Sequence, residues 1–281
     1  TAMIELPEAH TIAQQIEGTL GGKVIAAGLR GNTPHKFAFY SGTPEHYAEI
    51  LAGKTVAGAR AHGRCIVVDV EPGYALVLGE GGERILYHRD ASTLPAKHHL
   101  LLSFTDGTHL SVSVQGWGAA QLVPRAELAT RSQAGPERVS PLSDAFTLQA
   151  FNGLWDRLAP DDTSSVTYLA ISKPGIWGLG NGYLQDVLFR AGLHPRRRAL
   201  GLDADERRSL HEATVAVLRE ATALAGRDTE RDLFNQPGGY TRVLDSTKVG
   251  TPCPVCGTPI EKTQYLGGAC YFCPACQPQE A

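Results

Sequence analysis

The chain has 281 residues, 42% hydrophobic and 20% charged, with a formal net charge of −3. Those proportions support a packed core and argue against wholesale disorder, and the charge argues against a broadly basic, sequence-blind nucleic-acid binder while allowing a local basic face. No apolar run reaches the roughly 18 residues of a membrane span, the N-terminus lacks the basic and apolar regions of a signal peptide, and the length suggests about two domains plus an appendage.

Thr1-Ala2 reads as a cloning remnant ahead of a native start at Met3. Pro7 to Leu20 is the first predicted helix: Pro7 suits a first turn, and Ile12, Ile16 and Leu20 recur at helical spacing. Short apolar or alternating runs then predict strands at Lys23–Leu29, Cys65–Val70, Tyr74–Leu78, Arg84–Tyr87, Leu100–Phe104 and Leu110–Val114, separated by turns such as Glu71-Pro72-Gly73. Thr43–Leu51 is a short helix with Thr43 as N-cap and Pro44 in its first turn. Arg131–Ser143 reads as a linker. The period then turns helical over Leu148–Leu158, near Val166–Ile171, over Gly182–Ala191 and over Ala204–Ala225, with Asp203 capping the last. The expected class is α+β: a β-sandwich over 1–130, a linker over 131–145, a helical domain over 146–248 and a cysteine-bearing tail over 249–281.

Five of the six cysteines fall in the last thirty residues, a clustering that points to metal rather than to a disulfide framework. Cys253-Pro-Val-Cys256 and Cys273-Pro-Ala-Cys276 each supply two thiolates from one turn. Two such turns complete a tetrahedral site for one zinc ion, and four thiolates leave no open position, so the metal is structural. Cys270 reads as a buried small residue. His98-His99 reads as an ordinary strand pair whose rings face opposite sides, not as a ligand set.

Gly178-Leu-Gly-Asn181 precedes an amphipathic helix, and a helix N-terminus among small residues favours an anion; a plain tight turn is the equal alternative. Arg196, Arg197 and Arg198 suit a phosphate backbone or, equally, form a solvated basic turn.

Three stretches in this order resemble one family: Glu5-Leu-Pro-Glu8, then Gly178-Leu-Gly-Asn181 through Phe189-Arg-Ala-Gly-Leu-His-Pro195, then the four-cysteine hairpin ending in Gln277. They are similar to the formamidopyrimidine-DNA glycosylase and endonuclease VIII family of base-excision repair enzymes. The resemblance covers essentially the whole chain. It implies a β-sandwich, a helix-two-turns-helix domain and a zinc finger, with double-stranded damaged DNA held between the domains. It also implies a flipped nucleotide, cleavage of its N-glycosidic bond, a monomer, and a cytoplasmic, nucleoid-associated bacterial enzyme.

Residue by residue, the resemblance is uneven. The family's catalytic glutamate falls on Glu5 and its second glutamate on Glu8, which could equally serve only the helix terminus. The family's nucleophilic terminal proline falls on Ile4, an internal amide that cannot form a Schiff base. Its DNA-contacting lysine falls on Arg64. Its wedge loops fall on Gly79-Glu80-Gly81-Gly82 and Gln115-Gly116-Trp117-Gly118, so Glu80 stands where an apolar wedge is expected, and Trp117 is either wedge or core. Gln115 stands for an arginine. The hairpin arginine falls on Gly268, within Gly267-Gly268-Ala269, while the backbone-contacting Asn181 is retained. The implied DNA-binding set is Arg64, Trp117, Asn181, Arg196, Arg197, Arg242 and Lys248.

These parts imply a glycosylase that hydrolyses the bond with help from Glu5 and has little or no AP-lyase activity. A non-catalytic sensor of damaged or abasic DNA and a bifunctional enzyme using the Met3 amine stand as alternatives. The residues choose neither oxidised purine nor oxidised pyrimidine.

Overall fold

In a computed structural model of the chain the described residues are 3–29, 31–33, 35–132, 134–266 and 268–279. The expected cloning remnant, Thr1-Ala2, and Gly267 of the hairpin turn lie outside them. Two compact units form, each discontinuous: 1–138 with 221–240, and 139–220 with 241–281. The units do not follow the linear division expected above. The 221–240 segment joins the N-terminal unit, 131–138 does so as well, and the cysteine-bearing tail joins the helical unit.

The first unit opens with α1 (Leu6–Leu20), whose Ala9, Ile12, Ala13, Ile16 and Leu20 are buried at helical spacing. In chain order follow β1 (Ile25–Leu29), β2 (Ala38–Phe39), α2 (Pro44–Leu51), β3 (Thr55–His62), β4 (Cys65–Glu71), β5 (Tyr74–Gly79), β6 (Glu83–His88), β7 (Leu100–Phe104), β8 (His109–Val114), β9 (Gly118–Pro124) and α3 (Leu128–Arg131). Two sheets result, one ordered β1-β7-β8-β6 and the other β2-β9-β5-β4-β3. Their inner faces, with α1 and α2, share one apolar core that includes Ile16, Tyr47, Val68, Leu76, Leu102 and Leu122. Thr43 caps α2 as expected, accepting the His46 N–H at 3.3 Å.

Three of these strands escaped the sequence pattern: the two-residue β2, and β3 and β9. The Ala, Gly and Arg of β3 carry little strand propensity, and β9 is buried along nearly its whole length, so neither alternates cleanly. The outer face of β4, β5 and β9 carries Cys65, Val67, Val77, Ala119 and Val123, with Leu128 and Ala134 packed against it. The early part of the expected linker therefore covers a sheet. His98 and His99 precede β7 rather than lying on it, and the His99 ring accepts the Val114 N–H at 2.8 Å.

The second unit holds α4 (Leu148–Asn152), α5 (Val166–Ile171), α6 (Asn181–Ala191), α7 (Ala204–Ala223, whose last turn falls in the first unit) and the hairpin β10 (Glu261–Tyr265) and β11 (Gly268–Phe272). The helix expected over 148–158 stops at Asn152, before Gly153, and resumes as a single 3₁₀ turn at Trp155–Arg157. Trp155 donates its indole N–H to the Ala199 carbonyl at 2.8 Å, which fixes the turn beside the arginine triplet. Asp203 caps α7 by accepting the Glu206 N–H at 2.8 Å.

A buried carboxylate ties α6 to the chain leading into the cysteine turns. Asp186, without solvent exposure, accepts N–H bonds from Val243 at 3.0 Å and Leu244 at 2.9 Å. Asp186→Ala leaves both donors without that acceptor, so denaturant unfolding should show a loss of about 2–4 kcal/mol.

Candidate active site and metal centre

The first residues of α1 form a buried ionic cluster. Glu5 is fully buried and Glu8 is 3% exposed. The Glu8 carboxylate accepts the Glu5 N–H at 3.0 Å, the return half of a capping box. Facing them from 221–240 is Arg227, also buried. Its Nε donates to Glu8 at 3.1 Å, its Nη1 to Glu5 at 3.3 Å and its Nη2 to the Met3 carbonyl. The Arg227 backbone N–H also reaches Glu8, at 3.0 Å. A third carboxylate, Glu230, lies 3.9 Å from the guanidinium and accepts the Met3 N–H at 3.3 Å. Burial raises the Glu230 carboxyl above its ordinary range, against the pull of Arg227.

The loops singled out as wedges meet this cluster. The Ile4 N–H donates to the Gly81 carbonyl at 2.9 Å, the Glu80 N–H to Arg64 at 2.9 Å and the Gly82 N–H to Trp117 at 2.9 Å. Residues 62–64, 79–83 and 115–118 are thus one hydrogen-bonded assembly around the start of α1. Glu83 locks it from within, accepting the Ala119 N–H at 2.7 Å and the Gly81 N–H at 3.2 Å. Burial holds the Glu83 carboxyl well above the usual carboxylate range, although those two donors oppose the shift. Glu80, expected in the wedge position, pairs with Arg64 at 3.2 Å. Its carboxyl is also raised by burial, with Arg64 opposing. Arg64 therefore carries a compensated charge. Trp117 is half-buried, edge-on to Phe39 at 6.4 Å.

In the second unit, the side chain of Asn181 turns to the hairpin: its Nδ2 donates to the Ala269 carbonyl at 3.4 Å, and its Oδ1 accepts from Gln185 at 2.7 Å. Gln185 in turn accepts the Tyr271 N–H at 3.0 Å. Arg196 reaches the same hairpin, donating to Thr263 and to the Gln264 carbonyl, both at 3.0 Å. Arg197 is committed elsewhere. It donates to Glu206 at 3.0 and 3.2 Å and to the Gly201 carbonyl at 2.9 Å, which braces the turn before α7. Arg242 lies 3.8 Å from Asp245, and Lys248 is half-buried in the following turn.

The sulfurs of Cys253, Cys256, Cys273 and Cys276 lie within 4.8 Å of one another, three of the spacings being 3.4, 3.5 and 3.9 Å. Four sulfurs about 2.3 Å from a tetrahedral ion would stand about 3.8 Å apart, so the donor set fits a thiophilic divalent cation. Thr258 lowers the Cys256 thiol to about 6, whereas neighbouring Cys256 holds the Cys276 thiol up at about 12, so the full thiolate set calls for a cation. Cys270 is buried outside the four. Gln277 closes the second turn, accepting the Cys273 N–H at 3.0 Å and donating to the Leu193 carbonyl at 2.8 Å.

Sequence reasoning missed Arg227, Glu230 and Glu83. The first two are far from Glu5 along the chain, and no spacing motif announces them. The one signal for Glu83 was its place beside the glycine-rich loop: a Cβ on Gly118 would stand 1.8 Å from its Oε1, and one on Gly81 would stand 2.0 Å from the Trp117 carbonyl oxygen. Gly81→Ala should therefore cost about 2–4 kcal/mol in thermal unfolding, because the obstacle is backbone.

Comparison with known proteins agrees with this architecture. The description "Formamidopyrimidine-DNA glycosylase N-terminal domain" matches residues 3–115, and "Formamidopyrimidine-DNA glycosylase H2TH domain" matches 137–232. The chain is 31% identical to the formamidopyrimidine-DNA glycosylase of Bacillus anthracis over 286 residues, covering 99% of this chain and 100% of that protein. It is 31% identical to that of Paracoccus denitrificans, covering 98% and 100%. Lactococcus lactis Fpg in complex with an abasic-site DNA matches the fold with a TM-score of 0.83 at 22% identity, covering 98% of this chain and 100% of that one. MutM bound to DNA containing carbocyclic 8-oxo-G matches at 0.83 and 23%, with the same coverage. On the strength of whole-length identity and both domain matches, the chain belongs to the formamidopyrimidine-DNA glycosylase family of DNA glycosylases.

Proposed function

We propose that this chain is a monofunctional glycosylase of damaged double-stranded DNA. It extrudes the damaged nucleotide, hydrolyses its N-glycosidic bond with Glu5 as the assisting carboxylate, and leaves the strand intact. The observation that carries this reading is the state of residue 4. Its nitrogen is a backbone N–H held by the Gly81 carbonyl at 2.9 Å, so the neighbouring position offers no amine, while Glu5 remains at the head of α1.

The chemistry balances without an enzyme nucleophile. The C1′–N bond breaks with its electron pair leaving on the base, and the sugar takes oxocarbenium character. The Glu5 carboxylate stabilises that charge. A water oxygen then adds to C1′ and passes its proton to Glu5, while the departing base takes a proton from solvent. Glu8 holds the helix terminus and Arg227 rather than the substrate.

For DNA contact, Trp117 and Arg64 are the proposed groups of the first unit, with Arg64 tempered by Glu80. Asn181, Arg196, Arg242 and Lys248 are those of the second, and Arg197 braces the turn that presents Arg196. Cys253, Cys256, Cys273 and Cys276 would hold one zinc ion, which cross-links the two turns and supplies no reaction chemistry.

The deciding experiment uses protein beginning at Met3 on duplexes bearing oxidised purine, oxidised pyrimidine, abasic and bulky alkyl lesions. On the three base-bearing lesions strand breaks should appear only after hot alkali and should fall at least 100-fold in Glu5→Gln, while the abasic duplex, which hot alkali cleaves by itself, reports lyase activity and binding only. Breaks without alkali, with borohydride trapping, would instead assign the Met3 amine. Silence on every lesion with abasic-site binding intact would make the chain a sensor. Elemental analysis should find one zinc per chain, with Cys273→Ser losing it. Affinity for abasic DNA should fall steeply between 50 and 200 mM salt, as phosphate contacts require.

A further inference from the structure

Burying one carboxylate is costly, and the head of α1 buries three against a single guanidinium. Each polar edge of Arg227 is engaged: Nε by Glu8, Nη1 by Glu5, and Nη2 by the Met3 carbonyl with Glu230 beyond. The segment that carries it is shaped for this approach. Gly226, at φ +91°, passes so close that a Cβ there would stand 2.9 Å from Glu8 Oε1, and a Cβ on Gly238 would stand 2.1 Å from the Gly226 carbonyl oxygen. Two further charged groups lie near the cluster: Arg84 of β6, which acts on Glu230, and Arg231, which acts on Arg84.

We propose that Arg227 is the positioning residue for Glu5: its guanidinium is the counter-ion that keeps Glu5 charged and aimed, and it ties 221–240 to the first turn of α1. The role of Glu5 in hydrolysis rests on the function proposed above, whereas the charge coupling does not. Without Arg227, three carboxylates would share a buried space without the guanidinium that bonds Glu5 and Glu8, and Arg84 acts on Glu230 alone of the three. At least one would then take up a proton.

The test separates the two claims. The first measurement is stability against pH for the full chain, wild type against Arg227→Met and Arg227→Lys. In Arg227→Met the folded state holds extra protons on carboxyls raised above their unfolded values. Its deficit should be small near pH 5 and grow as pH rises through neutrality. A Tm gap about 5–10 °C wider at pH 8 than at pH 5 is expected, with Arg227→Lys recovering much of it. Adding Glu5→Gln or Glu230→Gln to Arg227→Met should raise its Tm at pH 8. A gap that is the same at both pH values, or double variants no more stable than Arg227→Met, would overturn the proposal. Should Arg227→Met not fold at pH 8, recovery of a folded protein there on adding Glu5→Gln or Glu230→Gln supports the proposal, and failure of both additions to restore folding overturns it.

The second measurement is single-turnover base release. Arg227→Met should slow it at least 10-fold, with its pH optimum moved and abasic-DNA affinity nearly unchanged. It should add little to Glu5→Gln. Full additivity of the two substitutions would refute the positioning role. Absence of base release from every variant, wild type included, would remove the glycosylase reading and leave the stability arm to judge Arg227.

Discussion

Much of the first unit depends on a buried charge imbalance at the head of α1. Three carboxylates and one guanidinium are held out of water around the first turn of α1, two of the four coming from the 221–240 segment. Such a cluster is tolerated only when nearly every lone pair and N–H has a partner, because removing one member strands the others. That requirement explains why 221–240 leaves the helical unit and returns to the sandwich. It also explains why Gly226 is bare where it passes Glu8.

The same first turn organises the loops. Ile4 is fastened to Gly81, Gly81 to Glu83, and Glu83 to Ala119 beyond Trp117. The Glu83 carboxyl and the backbone bonds from Glu80 to Arg64 and from Gly82 to Trp117 thus join three loops into one assembly. Two departures from the family pattern become intelligible together. Glu80 is not pushed into solvent or DNA as a bare carboxylate, because Arg64 compensates it. Glu80 and Arg64, the two residues that the resemblance sets against a wedge and a lysine, stand here as an ion pair.

In the second unit, backbone groups of the hairpin and of the 243–244 segment are satisfied by polar side chains of α6. Asn181 holds Ala269, and one turn on the neighbours Gln185 and Asp186 hold Tyr271 and the 243–244 backbone. The cysteine turns are therefore docked by hydrogen bonds as well as by the apolar contacts of Leu244, Ile260 and Phe189. This assigns Asn181 a structural duty on the hairpin in addition to any contact with DNA.

The amino-acid pattern alone determined the class, most of the elements and the four cysteines that cluster. Those signals are local: helical spacing in α1, turn residues between strands, and paired cysteines three positions apart. It also singled out Glu5, the altered residue 4 and the two glycine-rich loops, because the motif Glu5-Leu-Pro-Glu8 is contiguous. Strands β3 and β9 were not legible, since strands rich in small residues or buried on both faces lose their alternation. Only the tertiary structure decided that Arg197 serves Glu206, that Glu83 ties the loops, and that Arg227 and Glu230 join Glu5. Ion pairs and buried hydrogen bonds join residues more than two hundred positions apart, and their energetics come from shared burial, which no sequence spacing records.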